Sequence, residues 1–528
     1  MSRLYLIIAY IVVPSLVFGQ GKVSTYLKHA EEKYKAGDYF YAAELYRRAM
    51  DLDSNSVATL WMYAETLRAY KDYRTAEYYY KKVYEKEEAG IYPYSLLYWG
   101  LMQKQNGKYE EALETFKRAK KKYSKDKKGY LYLKSKREIE SCLWAKNAIK
   151  DTAEVNFFRL PETVNTKDSE FGHSLYDGKL IFSSLRADSV STAEEVYGTN
   201  YKTRLYSSKT ENGRYNEGEL IQDLYNESLN SGNGTWSLDG KRFYFSFCQS
   251  DSYNYRCKIM VAYYENGNWS SIDSLGEIIN EPESNTTMPC IGELDGMEVL
   301  FFSSDREGGE GGMDLYYSAI KNGNQFSKVR NIKSLNSPDN ELSPWWENST
   351  KSLYFSSSWP DNFGGYDVFS SLYKTQFEEP LNLGLPINSP ANDIYYFKNK
   401  DTSFVTSNRI GVLYSKNPTC CSDIFSSTPI IRLEEPTPRE TLAELNKRLP
   451  VTLYFHNDCP DPKTWDTLTK VNYIIGYGEY SEMLEKYQKE YSTGLSGQKA
   501  EDAKEDIENF FIEYVDQGVK DLELFRDL

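Results

Sequence analysis

The chain has 528 residues, which is long enough for three or more domains, and its hydrophobic content of 40% and aromatic content of 15% argue against global disorder. Its formal net charge of −14 argues against a nucleic-acid partner, because such a partner requires a basic field over the binding site. The three histidines, His29, His173 and His456, lie far apart in the sequence, so we expect neither a multi-histidine metal site nor a histidine-centred catalytic triad.

Residues 1–19 are predicted to be a secretory signal peptide. Arg3 precedes an apolar run from Leu4 to Val13, which is too short to span a bilayer, and small residues precede a predicted cleavage before Gln20. A buried N-terminal helix is the alternative. Because the residue after the cleavage is Gln20, the lipid-modified cysteine of a bacterial lipoprotein is missing. We therefore expect an exported protein that is not a lipoprotein.

A regular spacing of small and aromatic residues runs through residues 22–150. Ala42, Ala76 and Ala112 are 34 and 36 residues apart. The positions that recur around them are Gly37, Tyr39, Tyr46 and Ala49, then Asp72, Tyr73, Tyr80 and Val83, and then Gly107, Tyr109, Phe116 and Ala119. Small residues at such spacing allow helices to cross closely, and the pattern resembles three tetratricopeptide repeats. A helix from Tyr130 to Ile149 is predicted to cap the stack.

In such arrays the first helix of each pair lines a concave groove. The positions that we predict to bind a partner there are Glu31, Trp61, Glu65, Arg68, Tyr94 and Lys104. The alternative, of equal weight, is a face that packs against the following domain. The basic run from Lys117 to Lys128 is predicted to be a solvated helix end, with a contact patch for an acidic partner as the alternative.

Five copies of one strand signature fill residues 151–430. The fullest copy, Leu300 to Ser318, has an aromatic strand ending in two serines, a glycine-rich turn and a second apolar strand, which is typical of a β-hairpin. An upstream partner strand precedes every copy. The copies are 50 to 63 residues apart, as marked by Phe182, Phe245, Phe302, Phe355 and Val405. This spacing fits one four-stranded blade per copy, and it predicts a five-bladed β-propeller within a multidomain α + β protein.

Two features of these copies are candidate binding sites. The glycines between Gly308 and Gly312 are predicted to form a hairpin turn, because a phosphate-binding loop would be followed by a helix and not by a strand. Asp314, Asp367 and Asp423 recur one residue before an apolar strand, and we expect them to bind local backbone amides and not a metal. No metal or cofactor is predicted.

The chain has seven cysteines, so one is left over if all the others pair. Cys248 and Cys257 flank the hairpin loop of the second copy, and we hypothesise that they are bonded to each other, which an exported chain permits. Cys420 and Cys421 stand where the fourth copy has two glycines. These adjacent cysteines form a vicinal disulfide or pair elsewhere, and a catalytic thiol there would lack a nearby histidine.

The last hundred residues are predicted to be a linker and a short α + β domain. The linker spans residues 431–448 and contains Pro436 and Pro438. Residues 449–528 are expected to form a strand and two long helices, from about Lys463 to Tyr491 and from about Gln498 to Phe525.

Several of these segments resemble known families. DGKLIFSS (177–184) and DGMEVLFFSSDREGGEGGMDLYYS (295–318) resemble the PD40 (WD40-like) repeats of TolB-type propellers. The order of export signal, tetratricopeptide repeats and propeller resembles periplasmic proteins of Bacteroidota, including OmpA-family proteins and the PorE-like component of type IX secretion. LPVTLYFHND (449–458) resembles the opening of an OmpA-like domain, but the sequence stops before the segment that recognises peptidoglycan. The resemblance implies a periplasmic location, peripheral to the outer membrane, and envelope proteins as partners.

No catalytic motif is found: neither Gly-x-Ser-x-Gly, His-Glu-x-x-His, a phosphate loop nor paired zinc ligands. We therefore expect no enzyme activity, and a scaffold or adaptor that binds protein partners of an outer-membrane secretion or assembly machine. One alternative is a peptidoglycan tether of the OmpA type. Another is a propeller that binds a glycan or small ligand through exposed aromatic residues such as Trp345, Trp346 or Trp359.

Overall fold

The computed structural model describes residues 13–186, 202–211, 213–250, 255–321, 325–414, 417–430, 453–454, 472–516 and 519. Two compact units make up the chain. The first unit consists of the chain up to Thr115 and of Trp144–Pro429. The second unit consists of Phe116–Leu143 and Ile430–Leu528. Most of the predicted signal peptide, the whole linker and most of the predicted strand at 449–458, with His456, lie outside the described residues. Within the described part of the chain, no helix is long and apolar enough to cross a membrane.

The N-terminal part is an array of paired helices. Its described members are α1 (Val13–Lys35), α2 (Tyr39–Leu52), α3 (Val57–Ala69), α4 (Tyr73–Glu87), α5 (Ser95–Gln105), α6 (Tyr109–Lys122) and α7 (Tyr130–Ala148). Asp38, Ser56 and Asp72 cap α2, α3 and α4, because each side chain accepts a hydrogen bond from a backbone N–H in the first turn. The recurring small and aromatic positions are buried: Ala42, Tyr46, Ala49, Ala76, Tyr80, Val83, Ala112, Phe116 and Ala119. The predicted helical array is therefore the observed one.

The rest of the first unit is a five-bladed β-propeller, as predicted. The first blade contains β2 (Glu170–Tyr176), β3 (Lys179–Ser184), β4 (Arg204–Glu211), β5 (Arg214–Tyr215) and β6 (Glu219–Leu220), and the second contains β7 (Asn230–Trp236), β8 (Arg242–Ser250), β9 (Tyr255–Glu265) and β10 (Asn268–Ser274). The third contains β11 (Thr286–Leu294), β12 (Met297–Ser304), β13 (Asp314–Ala319) and β14 (Arg330–Asn331), and the fourth contains β15 (Glu341–Glu347), β16 (Ser352–Ser357), β17 (Asp367–Leu372) and β18 (Leu381–Asn382).

The fifth blade closes the ring with a strand from the other end of the propeller. It contains β19 (Asp393–Asn399), β20 (Thr402–Ser407), β21 (Asp423–Pro429) and, at its outer edge, β1 (Val155–Arg159). Because β1 pairs antiparallel with β21, the segment that precedes the first blade completes the last one. This pairing leaves no gap between the first and last blades.

The innermost strand of every blade carries a register shift at the same point. The residue at the shift has a positive φ in all five blades: Gly172, Asn233, Met288, Ser343 and Tyr395. Four of these residues are not glycine, and such residues rarely adopt this conformation. Each bulge bends the strand that faces the propeller axis, and its recurrence in every blade indicates one shared geometry.

The helical array packs against loops of the fourth and fifth blades within the first unit. The Tyr73 hydroxyl accepts hydrogen bonds from Asn392 Nδ2 at 2.6 Å and Asn408 Nδ2 at 3.0 Å. Lys104 Nζ donates to Asn362 Oδ1 at 2.8 Å, and these side chains are fully buried. Polar side chains of the helical array and of the propeller loops therefore pair with each other at this joint.

The second unit brings the basic run together with the C-terminal helices. Its described C-terminal elements are α8 (Tyr473–Glu482), α9 (Leu484–Tyr491), α10 (Gln498–Phe510) and a π-helical turn, Phe511–Val515. Lys117 pairs with Glu513 and Lys121 with Asp502, both at 2.7 Å. Lys120 is fully buried and pairs with Glu505 at 3.0 Å. The predicted solvated helix end is therefore wrong at Lys120, which acidic residues remote in the sequence cover, whereas Lys121 stays exposed beside its partner.

Candidate functional site

Four of the six residues predicted to line a groove gather around Tyr98 on α5. The rings of Trp61 and Tyr94 lie 6.2 and 5.3 Å from the Tyr98 ring. The Arg68 guanidinium lies 4.4 Å above the same ring and donates to Glu65 at 2.9 Å. These residues therefore form one aromatic cluster, and its role in binding a partner stays a prediction.

The other two residues lie elsewhere. Lys104 faces the propeller, where it donates to Asn362, so it belongs to the packing face that was the alternative. Glu31 is exposed and pairs with Lys35 at 2.7 Å on the same helix. The six positions therefore do not form one surface.

The three recurring aspartates are structural. Asp314 accepts from the Gly311 N–H at 3.2 Å, Asp367 from the Phe363 N–H at 2.9 Å and Asp423 from the Leu413 N–H at 2.8 Å. The prediction that they bind backbone amides is confirmed. Burial raises the pKa of Asp423 to about 7. Among the described residues, no group of three or more His, Cys, Asp or Glu side chains is placed to hold a metal ion.

Two pairs of cysteines are joined as disulfides. Cys248 and Cys257 are bonded across the paired strands β8 and β9, and Cys420 is bonded to Cys421. Of the other described cysteines, Cys142 and Cys290 are buried. The structure thus places the hypothesised pair at directly opposite positions of a hairpin.

The propeller axis encloses a small cavity lined by the bulged inner strands of all five blades. Its volume is about 60 Å³, and no carboxylate is among its lining residues. His173 lies against it, and burial lowers the pKa of this imidazole to about 3, so the ring is neutral. Ligand pockets usually measure about 300–1,000 Å³. The axial cavity is therefore too small for a sugar or a similar ligand.

A larger cleft opens between the first and second blades, with a volume of about 310 Å³. Four aromatic residues line it: Tyr176, Trp236, Tyr264 and Trp269. The Trp236 ring stacks between Tyr176, at 4.6 Å and 25°, and Trp269, at 5.4 Å and 24°. Tyr176 is 37% exposed, and the other three are half-buried. The cleft therefore presents a pre-formed aromatic stack that is partly open to solvent.

Three hairpin turns position these rings. Tyr176 comes directly before the turn Asp177–Gly178, and Trp269 follows the turn Asn266–Gly267 by two residues. Both residues of each turn have a positive φ, which is the conformation of the two-residue hairpin turns that Asp-Gly and Asn-Gly favour. Trp236 ends β7 just before the third turn. All three turns join the first strand to the second, or the third to the fourth, so antiparallel pairing brings them to the same face.

The polar lining of the cleft is acidic and unpaired. Asp177, Glu219 and Asp223 line it together with Lys179. Within the described part of the chain, none of these three carboxylates makes an ion pair or a side-chain hydrogen bond. By contrast, Glu298, in the neighbouring third blade, pairs with an arginine at 2.9 Å. The carboxylates of the cleft are therefore available to a ligand.

The tryptophans proposed from the sequence as ligand contacts are placed differently. Trp346 is buried in the core between blades, where it stacks on Phe301 at 5.5 Å and donates to Asn348. Trp345 lines the axial cavity, and Trp359 is half-buried after β16. Sequence reasoning missed Trp236 and Trp269. The available signal was their position beside Asp-Gly and Asn-Gly turns, which brings aromatic residues to one face of a blade.

Comparison with known proteins gave matches only among solved structures. No family model matches the chain, and no curated protein matches it. The chain is similar to a thermostable family-43 glycoside hydrolase at 13% identity, with 53% of this chain and 99% of that one covered and a TM-score of 0.34. It is also similar to a family-32 β-fructofuranosidase of Bombyx mori at 10% identity, covering 56% and 66%, with a TM-score of 0.34.

A third similar structure is a glycoside hydrolase of the family-130 mannoside phosphorylases, which targets β-1,2-mannosidic linkages in Candida mannan. Its identity is 11%, its coverage is 55% of this chain and 98% of that one, and its TM-score is 0.31. At these identities the likeness concerns the propeller fold.

Two expectations are corrected against these structures, which are named as glycoside hydrolases and a β-fructofuranosidase. The expected scaffold for a secretion machine and the expected lack of enzyme activity are withdrawn. The alternative from the sequence, a propeller that binds a glycan or small ligand, is taken up below as a proposal.

Proposed function

We propose that the chain binds carbohydrate in the cleft between the first and second blades. The observation that carries this proposal is the stack of Tyr176, Trp236 and Trp269 along a cavity of about 310 Å³. Flat aromatic rings with an exposed face bind the apolar face of a sugar ring, while nearby polar groups orient it. The ligand class is the one considered from the sequence, a glycan, but the tryptophans that bind it are Trp236 and Trp269 and not Trp345, Trp346 or Trp359.

The polar groups of the cleft suit the hydroxyls of a sugar. Asp177, Glu219 and Asp223 supply acceptors, and Lys179 supplies donors. These side chains make no hydrogen bond or ion pair with other described residues, so a ligand does not have to break an internal bond to reach them. The turns that hold the rings are short, so little ordering is required when a sugar binds.

A glycan array followed by isothermal titration calorimetry on the full chain tests the proposal. We expect saturable binding of at least one oligosaccharide, and we expect Trp269→Ala and Tyr176→Ala to weaken it about tenfold or more. Tyr414→Ala is the matched control, because Tyr414 is 45% exposed and does not line the cleft. Unchanged affinity in both cleft variants, or no bound glycan on the array, would overturn the proposal.

Glycoside cleavage in the same cleft is a second candidate function, favoured by its three carboxylates. Glycoside hydrolysis commonly uses two carboxyl groups, one as acid and one as base or nucleophile. We expect chromatography of an oligosaccharide incubated with the chain to show new reducing ends, and Glu219→Gln to suppress them. If no product forms with a glycan that binds, this second candidate is removed and binding stands.

We also propose that the chain is an exported protein of the tetratricopeptide and PD40 propeller type. Two disulfides support export, because such bonds persist in oxidising compartments. The buried alanine and aromatic positions of the helical array support the repeat type. Fractionation of producing cells tests this, with a mature N-terminus at Gln20 in the exported fraction as the expected result. Recovery of the uncut chain in the cytosol would contradict it.

A further inference from the structure

We propose that the cleft between the first and second blades selects a carbohydrate that carries a protonated amino group, such as an oligosaccharide of unacetylated glucosamine. This inference rests on the proposed function and specifies its ligand class. It depends on two properties of the cleft, its formal charge and its aromatic rings.

The charge of the lining is negative. Three carboxylates, Asp177, Glu219 and Asp223, face one ammonium, Lys179, which leaves a formal charge of −2. The carboxylates have no cationic partner among the described residues, unlike Glu298 of the third blade, which pairs with Arg242. A ligand ammonium supplies the missing cation and forms charge-assisted hydrogen bonds, which are stronger than those of a neutral hydroxyl.

The aromatic rings favour the same ligand. A cation within about 6 Å of a tryptophan or tyrosine ring is attracted by the negative charge of the ring face. Tyr176, Tyr264 and Trp269 are such rings, whereas Trp236 is stacked between two of them, and the exposed Tyr176 lies beside the Asp177 turn. An ammonium placed there is in contact with ring faces and carboxylates together, which is the combination that binds organic ammonium ions in aromatic cages.

The same features reject other sugars. A uronic acid or a sulfated sugar places a negative charge against three carboxylates, and such like-charge contacts are strongly unfavourable. A neutral or N-acetylated sugar keeps the stacking contact but leaves the carboxylates without a cation. At about 310 Å³ the cleft lies at the lower end of ligand pockets, which fits one or two sugar rings.

The test is calorimetry of the full chain with three trisaccharides: glucosamine trimer, its N-acetylated counterpart and galacturonic acid trimer. At mildly acidic pH, where the amino groups are protonated, we expect the glucosamine trimer to bind about tenfold or more tightly than the acetylated one. In about 0.5 M sodium chloride the Debye length falls to about 4 Å, so this preference shrinks while the affinity of the neutral trimer is unchanged.

Substitutions in the cleft test whether the preference for the glucosamine trimer over the acetylated trimer arises there. Asp177→Asn combined with Asp223→Asn is expected to remove most of the preference and to keep the affinity for the acetylated trimer. Asp401→Asn is the matched control, because Asp401 is an exposed residue in the corresponding turn of the fifth blade. An unchanged preference in the double variant overturns the assignment.

The outcomes also separate this inference from the proposed function. Equal affinity for the glucosamine and acetylated trimers, or a preference for the galacturonic trimer, overturns the inference and leaves carbohydrate binding in place. If neither these trimers nor any glycan on the array binds, the proposed function fails and the inference fails with it.

Discussion

Two regions of the first unit use polar residues in opposite ways. Where the helical array meets the fourth and fifth blades, Tyr73 and Lys104 are buried and bonded to asparagines of the propeller. In the cleft between the first and second blades, Asp177 and Asp223 are exposed and unpaired within the described residues. The joint and the cleft lie on opposite faces, because the joint uses loops after second and fourth strands, whereas the rings of the cleft stand at turns after first and third strands.

The paired polar groups of the joint are typical of packing, and the unpaired polar groups of the cleft are typical of a binding site. A buried polar group must have its partner within the protein, since an unsatisfied one costs about 1–3 kcal/mol. At a binding site the partner comes with the ligand, so the groups are left open and the fold tolerates their removal. We therefore expect variants of the joint to lower stability without changing affinity, and variants of the cleft to do the reverse.

The largest effect is expected for Lys104→Ala at the joint. The substitution removes a fully buried side chain and the donor to Asn362, so it leaves a cavity and an unsatisfied amide oxygen. Together these cost about 3–5 kcal/mol of the free energy of unfolding. Chemical denaturation followed by fluorescence measures it. Lys108→Ala is the control, because Lys108 is 42% exposed in its ion pair with Glu77 and should cost less than about 1 kcal/mol.

Glu341 should make the stability of the fourth blade depend on pH. It is fully buried and bonded to Ser337 and Ser357, and burial raises its pKa from 4.5 to about 7. The folded state therefore holds the proton more tightly, so the free energy of unfolding falls as pH rises from about 4.5 to 7, by about 3 kcal/mol. Glu341→Gln should reduce this slope in denaturation curves, and the part that remains comes from other buried carboxyl groups such as Asp423, whose pKa burial also raises. An equal slope in the variant would contradict the assignment.

The disulfide of the second blade tests whether the cleft depends on overall stability. Cys248 and Cys257 are nine residues apart, and closing so short a loop stabilises the fold by about 2–3 kcal/mol. Replacing both by serine should lower the midpoint of denaturation and leave glycan affinity unchanged. Replacing Cys420 and Cys421 is the matched control, because adjacent cysteines close almost no loop and should contribute less.

Tyr73→Phe should weaken the joint more mildly than Lys104→Ala. The substitution keeps the ring and removes the hydroxyl that accepts from Asn392 and Asn408. The buried amide of Asn408 and the half-buried amide of Asn392 then lose an acceptor, at a cost of about 1–3 kcal/mol. Denaturation curves should show it, whereas Tyr78→Phe, at a residue that is 52% exposed, should change stability by less than about 0.5 kcal/mol. Equal effects of the two substitutions would contradict the role of the hydroxyl.

The sequence was informative where structure follows from local periodicity. Ala42, Ala76 and Ala112 predicted the helix pairs, and the repeated hairpins predicted five blades, because each pattern reports the burial of neighbouring residues. It did not predict the bulges at Met288 and Tyr395, because neither residue favours a positive φ and the ring geometry imposes it.

The candidate site depends on contacts that no local pattern contains. The stacking of Trp236 on Tyr176 joins two blades and becomes predictable only once their relative placement is known. In the same way, Lys120 was expected in solvent, but Glu505 of α10 lies 3.0 Å from it. Such pairs require the tertiary fold, so the sequence predicted the elements and not the cleft.

The smallest effect on stability is expected for Asp223→Asn in the cleft. Asp223 is exposed and has no partner among the described residues, so its substitution should change the free energy of unfolding by less than about 0.5 kcal/mol. The affinity of the Asp223→Asn variant for an amino sugar should fall, because the ligand ammonium loses a charged acceptor. A loss of more than about 1 kcal/mol would show that the carboxylate has a structural role, and the contrast between joint and cleft would then fail at this residue. The two regions are separated most directly by comparing two variants. Asp223→Asn should weaken ligand binding and leave stability unchanged, whereas Lys104→Ala should lower stability and leave ligand binding unchanged.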